Sequence, residues 1–213
     1  MKAESIPGEV HVNALPPGGE LVYIREFIDR SRADRIFSTL LREPFWRSRT
    51  INMFGRKVMQ PRKIAFQGDS GVSYAYSGDV HHAEPWHEAL VALRTEIERE
   101  AGCEFNCALL NLYRDGRDSM GWHSDDEAEL GSCPTIASIS LGAVRRFVLR
   151  SKEDKTTKLE IRPAHGSLMI MRGDTQHHWQ HALPRTALDV QPRINLTFRR
   201  IVRPPNRAVR RTP

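Results

Sequence analysis

The sequence predicts a mainly β protein of the α+β class, in which two sheets pack as a jelly roll behind a few N-terminal helices. Two observations predict this fold. From residue 105 onward, short segments alternate apolar and polar residues, a period typical of strands with one buried face. Before that point, the clearest helical periodicity covers 85–101, with Pro85 near its start and Gly102 after its end. With 213 residues, the chain is long enough for one domain with a sizeable core.

The segments before residue 45 are predicted to form an arm, a strand and a helix. Residues 1–17 contain several prolines and little periodicity, and we predict an N-terminal arm there. Residues 21–27 are predicted to form a short strand. A helix follows, with Ser31 as its cap and Pro44 at its end.

A turn between cationic residues comes next. Gly55 predicts a turn with Met53 and Phe54 at its tip, and Arg49 and Arg56 flank them. Proteins that distort DNA insert apolar wedges of this kind between bases, while cations hold the phosphates. A hairpin whose tip side chains fold back onto the core is the alternative that the sequence leaves open.

Two tyrosines follow at strand spacing. Tyr74 and Tyr76 share one face of a predicted strand, because the side-chain period of a strand is two. A pair of rings on one face can stack a flat base. Half-buried packing within a sheet is the alternative.

The elements after the helix at 85–101 are mostly strands. They are predicted at 105–113, around His123, at 135–149 with a bend at Gly142, at 159–171 and at 193–202. The charged segment 152–158 is predicted to be a solvated loop. The arginine-rich stretch 204–213 is predicted to be a basic tail.

The composition indicates which class of partner and which cellular compartment to expect. The net charge of +6 favours anionic partners, nucleic acid first, although a merely soluble basic protein has the same charge. Three cysteines give an odd count, which fits a reducing compartment; their spacing matches no zinc motif, and we expect them to be small buried or half-buried residues. No signal core or membrane-spanning run is present, so we expect a soluble, cytoplasmic monomer without a membrane partner.

The strongest chemical signal is His123-Ser124-Asp125. On a strand, His123 and Asp125 point to the same face. Two imidazoles and one carboxylate form the facial triad of non-haem Fe(II) oxygenases, which leaves positions open for a co-substrate and O₂. The motif alone is short, and a surface histidine beside an acidic run is the alternative. Strand parity does not choose the third ligand, for which the candidates are His165, His177, His178 and His181.

The last predicted strand has a polar face and an apolar face. Its polar face carries Arg193, Asn195, Thr197 and Arg199, and its apolar face carries Ile194, Leu196 and Phe198. Arginine holds carboxylates in bidentate fashion, so one guanidinium can anchor the distal end of a diacid whose other end chelates iron. Asn111 and Tyr113 share a strand face and can complete the pocket. The alternative is a polar strand face open to solvent.

Together these segments resemble the AlkB family of Fe(II)/2-oxoglutarate dioxygenases, over residues 20–203. The motifs that carry the resemblance are Asn111-Leu112-Tyr113, His123-Ser124-Asp125-Asp126-Glu127, His181 and Arg193-Ile194-Asn195-Leu196-Thr197-Phe198-Arg199. The resemblance implies a double-stranded β-helix in a domain at 18–203, with a nucleotide-recognition lid at about 45–80.

The resemblance also implies roles for individual residues. By position it assigns iron to His123, Asp125 and His181; 2-oxoglutarate to Asn111, Tyr113, Arg193, Asn195 and Arg199; and substrate contacts to Met53, Phe54, Gly55, Arg62, Tyr74, Tyr76, Asp126 and Glu127. Arg193 would hold the distal carboxylate, Asp126 would contact the exocyclic amine of the base, and Phe54 would fill the gap left by a flipped base.

The implied function is direct-reversal DNA repair. The reaction is oxidative demethylation of 1-methyladenine and 3-methylcytosine with Fe(II), 2-oxoglutarate and O₂, releasing formaldehyde, succinate and CO₂. The segments around Phe54 and Tyr74 resemble the branch that acts on duplex DNA. The loop 151–158 is shorter and less basic than in duplex-specialised relatives, which argues against a strong preference for duplex DNA. The alternatives are an RNA or protein demethylase or hydroxylase of the same family, or a non-catalytic binder of alkylated DNA.

Overall fold

A computed structural model describes residues 10–53, 56–76 and 79–202. The described residues form fourteen strands and three α-helices. The strands are β1 (Val10–Leu15), β2 (Gly19–Ile24), β3 (Arg47–Met53), β4 (Arg56–Gly68), β5 (Ser73–Tyr76), β6 (Asp79–His82), β7 (Cys107–Tyr113), β8 (Met120–His123), β9 (Ile136–Gly142), β10 (Phe147–Ser151), β11 (Lys158–Ile161), β12 (Ser167–Gly173), β13 (Trp179–Leu183) and β14 (Arg193–Arg199). The helices are α1 (Arg30–Arg42), α2 (Glu88–Ala101) and α3 (Thr175–His178), and a 3₁₀ turn covers Ala128–Leu130.

The strands assemble into two facing sheets and a small hairpin. The large sheet has the order β1-β2-β12-β9-β14-β7-β4-β3, the smaller sheet β11-β10-β13-β8, and β5 pairs with β6 alone. Neighbours in the two sheets pair in antiparallel fashion. This arrangement confirms the predicted mainly β jelly roll.

Each face of the large sheet buries a different core. Ile194, Leu196 and Phe198 of β14 are fully buried in a cluster that also holds α1 and α2. Met169 and Met171 of β12 belong to a second cluster with strands of the smaller sheet. Side chains of a strand alternate between faces, so the helices cover one face and the smaller sheet covers the other. Each fully buried leucine or isoleucine contributes about 1.5–3 kcal/mol to stability.

Gly142 provides the predicted bend between β9 and β10. Its φ is +83°, and a Cβ there would lie 2.4 Å from the carbonyl oxygen of Pro192. Only glycine accepts both the left-handed backbone and this close approach.

The structure corrects several predicted boundaries. The segment 1–17 is not simply an arm, because its residues 10–15 form β1 and pair with β2 at the edge of the large sheet. Asp29, rather than Ser31, caps α1, since its carboxylate accepts from the Arg32 amide. Helix α2 begins at Glu88 because the His87 ring caps it.

The end of the chain departs from the sequence pattern as well. The segment 159–171 divides between β11 and β12, and the last strand ends at Arg199. Residues 1–9 and the predicted tail at 204–213 lie outside the described residues. No helix among residues 10–53, 56–76 and 79–202 is long and apolar enough to cross a membrane.

Candidate metal centre

The smaller sheet brings the predicted metal ligands together. His181 on β13 lies directly opposite His123 on β8 in the strand register. Their ring centroids are 4.1 Å apart, and His181 Nε2 is 3.8 Å from Asp125 Oδ2. One ligand atom from each of His123, Asp125 and His181 lies within 4.8 Å of the other two. The register therefore selects His181 from the four candidate histidines.

The protonation states of the two histidines suit metal binding. Burial lowers the pKa of His123, and burial with the neighbouring His123 ring lowers the pKa of His181 to about 3. Both rings are therefore neutral at neutral pH. His123 Nδ1 donates to the Gly121 carbonyl oxygen at 2.9 Å, which leaves Nε2 with its lone pair for a metal.

A buried arginine keeps Asp125 ionised. Arg199 Nη2 donates to Asp125 Oδ1 at 2.5 Å, and both side chains are almost fully buried. Burial raises the pKa of Asp125, but Arg199 and the two imidazoles outweigh it and lower the pKa below its ordinary value. The centre thus contains one carboxylate and two neutral imidazoles.

Helix α3 holds the loop that carries Asp125. The Asp125 amide donates to Gln176 Oε1 at 2.9 Å, and Gln176 is fully buried. Ser124 Oγ donates to the Trp179 carbonyl oxygen at 2.8 Å. These two bonds hold the chain at Asp125 and at the residue just before it.

A cavity lined by residues of both sheets opens beside the three ligands. The predicted polar residues of β7 and β14 all line it: Asn111, Tyr113, Arg193, Asn195, Thr197 and Arg199. The apolar residues of β14 point away into the core, which confirms the predicted alternation of this strand.

Arg193 is the least compensated charge in this cavity. Its side chain is 1% exposed. Its Nη2 donates to Ser140 Oγ and Asn195 Oδ1, each at 2.8 Å. Among the described residues, its Nε and Nη1 have no hydrogen-bond partner. Burial lowers the pKa of Arg193 to about 10, so the guanidinium is still charged at neutral pH and can attract an anion.

These features match a known family. A model of the 2OG-Fe(II) oxygenase superfamily matches residues 20–199. The chain belongs to the 2OG-Fe(II) oxygenase superfamily. Its cofactors are therefore Fe(II), 2-oxoglutarate and O₂, as the sequence predicted.

Individual members of this superfamily are similar over most of the chain. The human alpha-ketoglutarate-dependent dioxygenase alkB homolog 3 is 41% identical over 211 residues, covering 94% of this chain and 73% of that protein. Its Bos taurus counterpart is 42% identical over 191 residues, 85% of this chain and 66% of that protein. The human DNA oxidative demethylase ALKBH2 is 38% identical over 183 residues, 81% of this chain and 70% of that protein. The chain thus spans about two thirds of the length of these relatives.

The fold is also found in a solved structure. The structure of OsALKBH1 superposes with a TM-score of 0.65 at 16% identity, covering 89% of this chain and 100% of that one. This likeness bears on the fold alone. The predicted AlkB-type iron and 2-oxoglutarate dioxygenase is confirmed at the level of the family.

The residues of this oxygenase chain fit both cofactors. The facial triad offers the ligands that non-haem iron takes and leaves coordination positions open. The unpartnered Nη1 group of the buried Arg193 guanidinium can donate to a carboxylate. Polar residues of β14 line the pocket between the facial triad and Arg193 on one side, and Leu183 and Phe147 line it on the other.

Arg62, which was predicted to contact substrate, is 3% exposed. Its Nε donates to Asn111 Oδ1 at 2.7 Å, and its Nη2 has no partner among the described residues. Its substrate contact stays a prediction. Strand β4 pairs with β7 inside the large sheet, so an inward side chain of β4 meets the cavity wall rather than the surface. Arg62 therefore orients a residue of the 2-oxoglutarate side.

The predicted base-binding residues separate into two environments. Tyr74 is 3% exposed, and Arg199 lies 5.6 Å from the centroid of its ring. Glu127 is half-buried beside Tyr74 and Arg199, and burial raises its pKa. Asp126 points outward, where its Oδ2 pairs with Lys152 Nζ at 2.9 Å.

The lid tip is only partly described. Strands β3 and β4 pair in antiparallel fashion, with Met53 opposite Arg56. Phe54 and Gly55 lie outside the described residues, and so do the side chains of Met53 and Tyr76. Their substrate roles stay predictions.

Several site residues were missed by sequence reasoning. Ser138 and Ser140 of β9 bond to Asn195 and Arg193 and hold the polar row of β14 in place. Because the two serines are two residues apart on one strand, their side chains share a face, and this spacing could have identified them. Gln176 had no such signal, because its helix has four residues and its contact with Asp125 depends on the tertiary fold.

Proposed function

We propose that this dioxygenase repairs alkylated DNA by oxidative demethylation, with 1-methyladenine and 3-methylcytosine as substrates. The observation that carries the proposal is the half-buried carboxylate of Glu127, two residues after Asp125 and beside Tyr74 and Arg199. Both methylated bases are cationic, and their methyl group lies on the edge used for pairing. A carboxylate near an iron centre suits a cationic base better than a neutral one. The similarity to DNA oxidative demethylase ALKBH2 supports the same substrate class.

The protein's own residues place the reactants. Bound Fe(II) and 2-oxoglutarate supply the oxidation by O₂ that hydroxylates the N-methyl carbon, with succinate and CO₂ as by-products. His123, Asp125 and His181 hold the metal. Arg193 binds the distal carboxylate of 2-oxoglutarate, and Arg62 aims Asn111 at the same ligand. The hydroxymethyl group then leaves the base as formaldehyde.

The base enters from the side of the small hairpin. Tyr74 lies on β5, and the His123 ring covers the opposite side of the proposed base position. Glu127 accepts from the exocyclic amine or balances the charge of the ring. Asp126 takes part only after it releases Lys152, because that ion pair now occupies its carboxylate.

We predict that 2-oxoglutarate affinity depends on pH through Arg193. Its pKa of about 10 is below the ordinary arginine value, and the anion binds only the charged form. Affinity should therefore be constant near neutral pH and fall about tenfold per unit once the pH rises above about 10. Calorimetric titration of 2-oxoglutarate across this range measures the effect, with circular dichroism to verify folding at each pH. Affinity that stays constant well above this pH would contradict the assignment.

We further predict that Phe54→Ala impairs repair of duplex DNA more than repair of single strands. A wedge that fills the gap of a flipped base is needed only where the base must leave a stack. The ratio of initial rates on matched duplex and single-stranded substrates is the measurement. Val58→Ala, on the same hairpin and 42% exposed, serves as the control. Equal losses on both substrates would remove the wedge role from Phe54.

A substrate panel tests the function itself. The enzyme is given 3-methylcytosine in DNA, 3-methylcytosine in RNA of the same sequence, and a methylated lysine peptide, each with and without 2-oxoglutarate. We expect methyl loss from DNA that requires 2-oxoglutarate. Turnover on RNA or peptide with none on DNA would support an RNA or protein demethylase of the same family instead. Binding of alkylated DNA without succinate formation would support a non-catalytic binder. We also propose that the enzyme is cytoplasmic and monomeric. Size-exclusion chromatography with light scattering tests the oligomeric state.

A further inference from the structure

A second group of metal-ligating side chains lies outside the iron cavity. Cys133, Asp174 and His177 place one ligand atom each within 4.8 Å of the other two. Cys133 Sγ is 3.3 Å from Asp174 Oδ1. None of the three lines the cavity beside His123. The iron and 2-oxoglutarate chemistry therefore does not account for them.

Two separate segments of backbone hold these side chains. Cys133 lies in the connection between the 3₁₀ turn at Ala128–Leu130 and β9. Asp174 directly precedes α3, and the His177 amide donates to the Asp174 carbonyl oxygen at 3.0 Å. The Asp174 amide donates to the Gly18 carbonyl oxygen at 3.1 Å. The carboxylate and the imidazole thus sit on a fixed turn, and the thiol approaches from the neighbouring loop.

The geometry is close to that of a tetrahedral metal site. Zinc lies about 2.3 Å from a cysteine sulfur and about 2.0–2.2 Å from a carboxylate oxygen. At a tetrahedral angle, those bonds separate the two ligand atoms by about 3.5 Å. The observed 3.3 Å between Cys133 Sγ and Asp174 Oδ1 is close to this separation. Little movement of the backbone is needed for both to bind one ion.

The ligand types select the metal. Thiolate, imidazole and carboxylate are the ligands of zinc, and a thiolate disfavours magnesium or calcium. We propose that Cys133, Asp174 and His177 form a second, zinc-binding site with a fourth position open to water. Cys133 and His177 are exposed, so the ion exchanges readily with solvent. The His177 Nε2 group now contacts the Ser132 carbonyl oxygen, and the ring must release this contact or bind through Nδ1.

The site connects to the iron centre through α3. His177 follows Gln176, whose side chain accepts from the Asp125 amide. Cys133 lies further along the same connection between β8 and β9 that carries Asp125, after the 3₁₀ turn. Zinc would therefore tie together the two segments that orient an iron ligand. We expect zinc to raise the thermal midpoint of the wild-type protein and to have a smaller effect on Cys133→Ser.

Cobalt(II) is the probe that separates the two metal sites. Cobalt bound by a thiolate gives a strong near-ultraviolet charge-transfer band, whereas cobalt on two imidazoles and a carboxylate does not. The metal-free full-length chain is titrated with cobalt(II) alone. We expect the band in the wild type and its loss in Cys133→Ser, with a weakened band in His177→Asn. Cys103→Ser is the matched control and should keep the band.

Metal counting gives an independent readout. After equilibrium dialysis against zinc, we expect two zinc ions per wild-type chain and one per Cys133→Ser chain, the remaining ion being at the facial triad. Retained 2-oxoglutarate-dependent succinate formation in Cys133→Ser would verify that this variant is folded. Absence of the cobalt band in the wild type, or its persistence in Cys133→Ser, would overturn the proposal. Neither result depends on the identity of the enzyme's substrate.

Discussion

Replacing Arg193 with methionine should lower the affinity for 2-oxoglutarate by about 10–100-fold. Its Nη1 group has no partner among the described residues, and a bound carboxylate would accept from it. A hydrogen bond to a charged group contributes about 1.5–3 kcal/mol. Each 1.4 kcal/mol is a factor of about ten in affinity. Succinate formation as a function of 2-oxoglutarate concentration measures the loss.

A surface arginine supplies the matched control for this variant. Arg117→Met removes a guanidinium whose side chain is 90% exposed and paired with Asp115. Its affinity for 2-oxoglutarate should equal that of the wild type. The thermal midpoint gives a second readout, because 2-oxoglutarate should stabilise the wild type and Arg117→Met but not Arg193→Met. If Arg193→Met lowers the affinity for 2-oxoglutarate by less than about threefold, Arg193 is not the anchor, because about 1.4 kcal/mol of binding free energy corresponds to a factor of ten.

Replacing Asp125 with asparagine should both abolish turnover and destabilise the fold. The variant loses the anionic metal ligand, and loss of even an outer-shell partner typically costs about 10–100-fold in activity or metal affinity. It also leaves Arg199 buried without its carboxylate. Removing one partner of a buried ion pair costs about 3–5 kcal/mol. We therefore expect no detectable demethylation and a lower free energy of unfolding in urea.

A double variant separates these two effects. Asp125→Leu combined with Arg199→Met removes the whole buried pair, and apolar replacement of such pairs is often close to neutral for stability. We expect the free energy of unfolding to return toward the wild-type value while activity stays absent. A stable Asp125→Asn protein with substantial turnover would contradict the roles of both residues.

The polar strand face was predictable because strand parity is a local rule. Arg193, Asn195 and Arg199 face the cavity as their spacing requires, and Ile194 and Leu196 face the core. Strand parity was also expected to bring His123 and Asp125 together, but β8 ends at His123 and Asp125 lies in the following loop, which its bond to Gln176 holds in place. The resemblance to a known family then added the identity of the cofactors.

The third ligand was not decided by any local pattern. His181 is selected by the pairing of β13 with β8, which depends on the whole smaller sheet. Gln176 and the contact of Arg62 with Asn111 were missed for a similar reason: each contact joins residues about 50 positions apart. Cys133 was expected to be buried or half-buried, yet it is exposed beside Asp174. Contacts between distant segments carry the information that residue spacing lacks.

We propose that the facial triad and Arg193 couple 2-oxoglutarate turnover to removal of a base methyl group. The most direct measurement is the ratio of succinate formed to methyl groups lost from 3-methylcytosine DNA, by mass spectrometry of both products in one reaction. We predict a ratio close to one, with formaldehyde in equal amount, and no methyl loss when 2-oxoglutarate is omitted. Succinate formed at an unchanged rate with and without the methylated DNA, and no methyl loss, would contradict the account.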